Sequence, residues 1–467
     1  MILNSFVELE KNKFPVVIFG SGPAGLTLAL ELEKKNINSL LIEAGDEYYS
    51  EESQSYYKIN TDETNLKDIS NSRLRQFGGT SASWGGWCKP LSDNDIKKTG
   101  LNPDEIIKYQ SKTCEILGIN NSFRESKINE DFNQIEFQYS DTRFYEKYFP
   151  QIKASKKIFL LLNTQLSHFE GQNKEVEKAI CISNGKLFDI RSREFIICCG
   201  GIENSRILLW TKFKNKNLLK DNSNIGKYWM THYWILGGIG FVDLNNFKTF
   251  MQNDFLDREG VIHIASNENN SKNKLQSGIY LSTNEDQNFV KEIVKSILCI
   301  APEYGKKIAR SILNKSLKCG NIFMHLEEDP IYDNKIVLDQ NNKDLNQIPL
   351  AKIEYKSSLK SKENAKLELE KLANLFRQKD LGRVALSDEI YNLKEFENLG
   401  NYHHMGGTRI GDSINDSVIN KDFKVHDIRN LYVLGSSNFR FGTYKNPTFT
   451  IIQYSIKLAN DLKKKLI

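Results

Sequence analysis

The sequence predicts an α/β protein in which a parallel sheet is joined to a second, mixed sheet. Three observations carry this. Val16-Val17-Ile18-Phe19, a glycine turn, a helical apolar pattern over Leu26–Lys35 and a second apolar run, Leu40-Leu41-Ile42, form a strand–turn–helix–strand unit. The runs Phe195–Cys199 and Leu431–Leu434 are just as continuously apolar, as expected of strands buried on both faces. Between them, Trp234 to about Tyr355 alternates and is punctuated by turn residues, the pattern of antiparallel strands.

The remaining elements follow in order. The stretch from about Glu47 to Thr99 is polar and loop-like, broken by a Gly/Ser/Trp cluster at Gly78–Trp87. Helices are predicted over Pro103–Leu117, over the charged segment Ser358–Gln378, and over Pro447–Lys465. There is no internal repeat. The parallel-sheet unit is therefore expected to be discontinuous, from residues 1–100, 155–233 and 400–467, with 101–154 and 234–399 forming the second unit.

Composition narrows the function classes. Across 467 residues, 64 Lys+Arg stand against 59 Asp+Glu. A net +5 spread over this length lacks the clustered basic patch of nucleic-acid binders, so no nucleic acid is expected. The seven cysteines form no CxxC pair and no Cys/His ladder, which suggests neither a disulfide framework nor a metal site. The N-terminal segment does not read as a signal peptide. No apolar run reaches the ~18 residues of a spanning helix. A cytoplasmic chain is the expectation.

Gly20-Ser21-Gly22-Pro23-Ala24-Gly25 is a GxGxxG turn placed after a strand and opening a helix, the context such a turn needs to bind a dinucleotide. Gly20 allows the tight turn, Gly22 lets backbone approach a pyrophosphate, and Gly25 lets helix and strand pack closely. The helix N-terminus offers unpaired N–H groups to phosphate. Glu43, followed by Ala44, closes the second strand 18 residues after Gly25. A carboxylate there accepts from ribose hydroxyls and repels a 2′-phosphate, which disfavours NADP. The turn by itself fits NAD and FAD alike.

With Gly78-Gly79-Thr80-Ser81-Ala82-Ser83-Trp84-Gly85-Gly86 and the C-terminal third in view, the chain resembles the glucose–methanol–choline (GMC) flavoprotein oxidoreductases, closest to the pyranose 2-oxidase-like and cholesterol oxidase-like branch. The resemblance implies a Rossmann-type FAD-binding domain with a mixed-sheet substrate domain. It implies that the first glycine turn and Glu43 hold the ADP half of FAD, and that Gly78, Gly79, Thr80, Ser83, Trp84, Gly85 and Gly86 lie along the flavin. Gly200 would sit near the adenosine and pyrophosphate, with Gly435 and Ser436 as a second pyrophosphate contact. Tyr402–Arg409 resembles the segment of the family's active-site histidine, which matches His404. Phe441–Thr448 resembles the segment of the second active-site residue, here Asn446, with Pro447 and Thr448 beside the flavin. Some members of the branch bond FAD covalently to a His where this chain has Ser83, so non-covalent FAD is expected.

The residue types suit alcohol oxidation. A neutral imidazole can take a hydroxyl proton near pH 7, the role expected of His404; the Asn446 amide cannot titrate and would position the oxygen. Asn446-Pro447 reads as a helix start, aiming a positive helix end at the flavin. His403 is expected to point elsewhere and be structural, His232 is a secondary candidate, and Cys198 and Cys199 read as small buried residues. A sugar or other polyhydroxylated small molecule is the expected substrate; oxygen, a quinone and a protein carrier stay open as electron acceptor. Phe289–Lys318 is basic and amphipathic, which fits a cap helix over the substrate entrance or a contact with a membrane surface. Two other readings stand beside this one: a flavin enzyme of another reaction class, such as a hydroxylase or desaturating oxidase, and a non-catalytic flavoprotein subunit.

Overall fold

The computed structural model describes residues 1–3, 14–61, 66, 69–243, 246–247, 250–251, 262–267, 275–282, 317–397, 399–400 and 402–467. The expected helix of Phe289–Lys318 lies outside these residues except at 317–318.

Five parallel strands form the first sheet, in the order Leu431–Val433, Glu194–Ile197, Val16–Phe19, Ser39–Ile42, Ile158–Leu161. Every residue of these strands is buried, because helices cover both faces of a parallel sheet. Four strands are the apolar runs read in the sequence; Ile158–Leu161 is an addition. It leads into the antiparallel strands Gln165–Gln172, Glu175–Ser183 and Lys186–Ile190 rather than into a glycine turn.

Helix Pro23–Lys34 opens with proline in its first turn, where the missing N–H costs nothing. It packs against the C-terminal helix Thr448–Leu466. That helix buries Phe449, Ile452, Ile456 and Ala459, spaced three and four apart to make one apolar face. A third helix, Gly200–Lys214, follows strand Glu194–Ile197.

The second sheet has seven strands, all pairing antiparallel, in the order Gly382–Leu386, Tyr233–Asp243, Leu317–Leu326, Ser277–Ser282, Ile262–Ser266, Phe132–Ile135, Glu125–Lys127. Helix Leu359–Gln378 packs on it through Leu369, Leu372 and Phe376, capped by Ser358, whose hydroxyl accepts from the Ser361 N–H. The segment 101–154, expected in the second unit, contributes to both cores. Ile106, Leu117, Phe144 and Ile152 join the core around the parallel sheet, whereas Phe132 packs with the second sheet. The helix expected over Pro103–Leu117 is two, Pro103–Ile107 and Gln110–Leu117, parted at Lys108–Tyr109.

Candidate active site

A cavity of 510 Å³ is lined by residues that follow the parallel strands and by Trp234, Tyr280 and His325 of the second sheet. Its nucleotide end is built from turns that follow parallel strands. Gly20 takes φ +97°, and a Cβ there would meet the Cys198 carbonyl oxygen at 2.5 Å, so the close approach of two strand ends requires glycine. A Cβ on Gly25 would lie 1.9 Å from the Gly20 oxygen, which is the tight helix–strand packing expected of it. Gly22 differs: its φ is −69° and a Cβ there would meet nothing. Nothing in the protein calls for glycine at that position, so the open space is what a bound pyrophosphate would need.

The helices Pro23–Lys34, Gly200–Lys214 and Thr448–Leu466 all present their first residues to this cavity. Three helix N-termini put partial positive charge and unpaired N–H groups on one ligand volume. Asn204 ties two of the turns together: its Oδ1 accepts from Cys199 N–H, and its Nδ2 donates to the Leu434 carbonyl and Ser437 Oγ. Gly435 and Ser436 line the same end. Burial pushes the Cys198 and Cys199 thiols up.

Most of the expected residues border the cavity: Gly20, Gly22, Pro23, Ala24 and Glu43 at one end, and Gly79, Thr80, Ser83, Trp84, Gly85 and Gly86 along its side. Gly25, Ala44 and Gly78 do not. Gly78, at φ +84°, donates its N–H to the Ser21 carbonyl at 3.1 Å and shapes the loop from behind. Glu43 has a second task, accepting from Ser21 N–H at 2.9 Å, Ser21 Oγ at 2.7 Å and Gly45 N–H at 2.8 Å. Trp84 anchors its loop by donating Nε1–H to the Thr142 carbonyl.

At the other end stand His403, His404 and Asn446. His404 is buried, and its Nε2 lies 2.9 Å from Ser72 Oγ. Ser72 Oγ also donates to the Ile69 carbonyl, 2.5 Å away, which holds the hydroxyl beside the ring. Asn446 Oδ1 is buried with no hydrogen-bond partner among the described residues. It is not the helix cap that the sequence suggested: Pro447 occupies that place, the helix starts at Thr448, and no side chain caps it. The amide is therefore left for the cavity.

His403 also lines the cavity, contrary to the expectation that it points away: Tyr402, His403 and His404 all border it. Behind it, His232 donates Nδ1–H to the Thr443 carbonyl at 2.8 Å, and its Nε2 lies 2.5 Å from His403 Nδ1. Burial lowers His232 to about 4 and holds His403 and His325 well below the usual imidazole range. His325 stacks on His232 with ring centroids 4.8 Å apart. Trp87, Trp234 and Tyr280 complete an aromatic chamber. Ser72 and His325 carry no sequence signal; only the tertiary fold brings positions 72, 232, 325 and 403 together. No metal-binding cluster occurs among the described residues.

Glu328 braces the site. Its Oε2 accepts from Thr231 N–H, on the strand paired with His404, its backbone N–H donates to Gly442, and Tyr355 OH donates to its carboxyl. Burial raises its pKa to about 8. A carboxyl that keeps its proton in the folded state stabilises the fold fully below its unfolded pKa, ~4.3. That contribution is lost as pH rises towards 8. Glu328→Gln should flatten this decline, read as thermal midpoints across that window. An unchanged slope would assign the decline to other groups.

Open space at Gly22, three converging helix N-termini and an orphaned amide beside the histidines are features that fit a flavin dinucleotide. The fold and cavity define a two-sheet protein with a Rossmann-type parallel sheet whose strand ends border the cavity. Residues 330–454 match the family model described as GMC oxidoreductase. The chain is similar to the fructose dehydrogenase large subunit of Gluconobacter japonicus, 23% identical over 290 residues, 58% of this chain and 48% of that one. It is also similar to the 2-methyl-1,2-propanediol dehydrogenase of Mycolicibacterium austroafricanum, 27% identical over 145 residues, 31% of this chain and 25% of that one. The aligned regions thus span about half or less of these relatives' lengths. Among solved structures, pyridoxine 4-oxidase from Mesorbium loti superposes with a TM-score of 0.63 at 12% identity, covering 96% of this chain and 99% of that one. An FAD-dependent oxidoreductase from Chaetomium thermophilum gives 0.63 at 13% identity, covering 97% and 100%. These two show the fold. No helix among the described residues is long and apolar enough to cross a membrane.

Proposed function

We propose that this chain oxidises an alcohol carbon, with His404 taking the hydroxyl proton and Asn446 holding the same oxygen. The observation that carries this reading is the convergence of His404 and the unpartnered Asn446 Oδ1 on one cavity with three helix N-termini. FAD would be held by the Gly20–Gly25 turn, the Gly79–Gly86 loop, Gly200, Gly435, Ser436 and the start of the C-terminal helix. When bound, it supplies the acceptor for the carbinol hydride. Ser83 offers no imidazole for a covalent link, so FAD is bound non-covalently. Ser72 fixes the His404 ring through its contact with Nε2 at 2.9 Å. Asn446 Oδ1, without a partner among the described residues, would accept from the substrate hydroxyl.

The substrate is a small uncharged polyhydroxylated molecule, a sugar or related polyol. Among the described residues lining the cavity only Glu43 and Arg73 are charged side chains. Glu43 is engaged with Ser21 and Arg73 pairs with Glu203 at 2.8 Å, so neither is a spare counter-ion. Trp87, Trp234 and Tyr280 offer flat faces to the C–H side of a ring. The described cysteines are free thiols, which supports a reducing, cytoplasmic location.

The purified protein should show flavin absorption bands that bleach when a sugar or polyol is added without oxygen. Acid should release the flavin into the supernatant. A yellow protein that no alcohol bleaches would refute the oxidation, and flavin retained on acid-precipitated protein would refute the non-covalent reading.

A further inference from the structure

The three-residue chain behind His403 has a direction. A carbonyl can only accept, so the His232 proton is on Nδ1, bonded to Thr443 O at 2.8 Å. Neutral His232 then has its lone pair on Nε2. That lone pair lies 2.5 Å from His403 Nδ1, which must be the donor. Neutral His403 is thereby left with its lone pair on Nε2, on a ring that lines the cavity. An imidazole in solution exchanges tautomers freely; this one is locked as a hydrogen-bond acceptor. The lock is expensive to break, since displacing the His403 ring would leave buried His232 Nε2 unpaired.

We propose that His403 is the specificity-determining residue of the site, its Nε2 accepting a hydrogen bond from a second hydroxyl of the substrate, near the one that reacts. This rests on the alcohol-oxidation reading above and narrows its substrate to diols and polyols. His404 and Asn446 already serve the reacting oxygen, whereas His403 stands beside His404 with an acceptor of fixed orientation. Around it, His325, Trp87, Trp234 and Tyr280 supply ring faces and no charge, so a neutral hydroxyl is the donor that suits the place. A substrate lacking this hydroxyl leaves the half-buried acceptor without that partner.

The first test compares flavin bleaching by 1,2-propanediol and 1-propanol in the wild-type protein and in His403→Phe and His403→Gln. The wild type should prefer the diol by about 10- to 100-fold, the discrimination one buried hydrogen bond gives. In His403→Phe, which keeps an aromatic ring but has no acceptor, the ratio should fall towards one. Glutamine, whose carbonyl accepts, should restore part of it. A wild type without preference, or a His403→Phe variant that retains it, overturns the proposal.

Two further readouts need no turnover. Nitrogen NMR of 15N-histidine-labelled protein should show His403 and His232 each protonated at Nδ1 and bare at Nε2; the opposite tautomer at His403 overturns the assignment. Tertiary alcohols carry no carbinol hydrogen and cannot be oxidised. Tryptophan fluorescence should show 2,3-dimethyl-2,3-butanediol binding more tightly than 2,3-dimethyl-2-butanol, with the difference lost in His403→Phe. Equal binding of the pair to wild type counts against the second-hydroxyl contact. Failure of every alcohol to bleach the flavin refutes the oxidation reading itself, and a locked tautomer with diol-selective binding would still stand apart from it.

Discussion

Alanine at His404 should lower the rate at which alcohol bleaches the flavin by about 10²–10⁴-fold, the usual contribution of a positioned base, while FAD stays bound. His404 reaches the cavity with a ring oriented by Ser72 at 2.9 Å, and removing the ring removes the proton acceptor but none of the turns that surround the nucleotide end. The backbone pairing of His404 with Thr231 survives the substitution, so the segment keeps its path. Stopped-flow bleaching of the variant, with its visible spectrum as the measure of flavin content, separates the outcomes. A colourless variant would make His404 a binding residue. Undiminished bleaching would sink the base assignment and leave His403 Nε2, the other lone pair of the segment, as the acceptor to test. A hydroxylase or desaturating oxidase has no need of this base and would lose nothing in its own reaction.

The parts of this molecule that could be read from the sequence are those with local causes. Val16–Phe19, Ser39–Ile42, Glu194–Ile197 and Leu431–Val433 are short buried strands. Their apolar continuity and the glycines that follow them are visible in a window of ten residues. Ile158–Leu161 is equally apolar and buried, but it has no glycine turn and helix after it, so nothing marked it as part of the same sheet. The Asn446-Pro447 start was displaced by one residue because an amide before proline suits both a cap and an exposed site residue, and only the surroundings decide. The Thr443–His232–His403 chain has no local cause at all. The alternation of an extended segment predicts that His403 and His404 face different ways, yet both rings belong to residues that line one cavity. The pairing of Ser72 with His404 spans 332 positions, and no spacing rule reaches that far.

The glycine turn supports the second large effect, because two of its glycines are glycine for different reasons. Gly22→Ala should leave the flavin-free protein as stable as the parent: the backbone there has φ −69°, which any residue adopts, and the added methyl meets nothing within 4 Å. It should nevertheless strip the protein of FAD on purification, since the methyl projects where a pyrophosphate must approach the backbone. Gly25→Ala should do the reverse. Its methyl would lie 1.9 Å from the Gly20 carbonyl oxygen. Relieving that overlap moves the helix from the strand at a cost of about 1–3 kcal/mol or more, seen as a lower thermal midpoint even without flavin. The comparison therefore separates binding from packing within one turn. If Gly22→Ala retains flavin through gel filtration, the open space at Gly22 is not where the phosphates lie. If it lowers the midpoint of the flavin-free protein as much as Gly25→Ala does, the turn is a packing device and the assignment of the nucleotide end loses its main support.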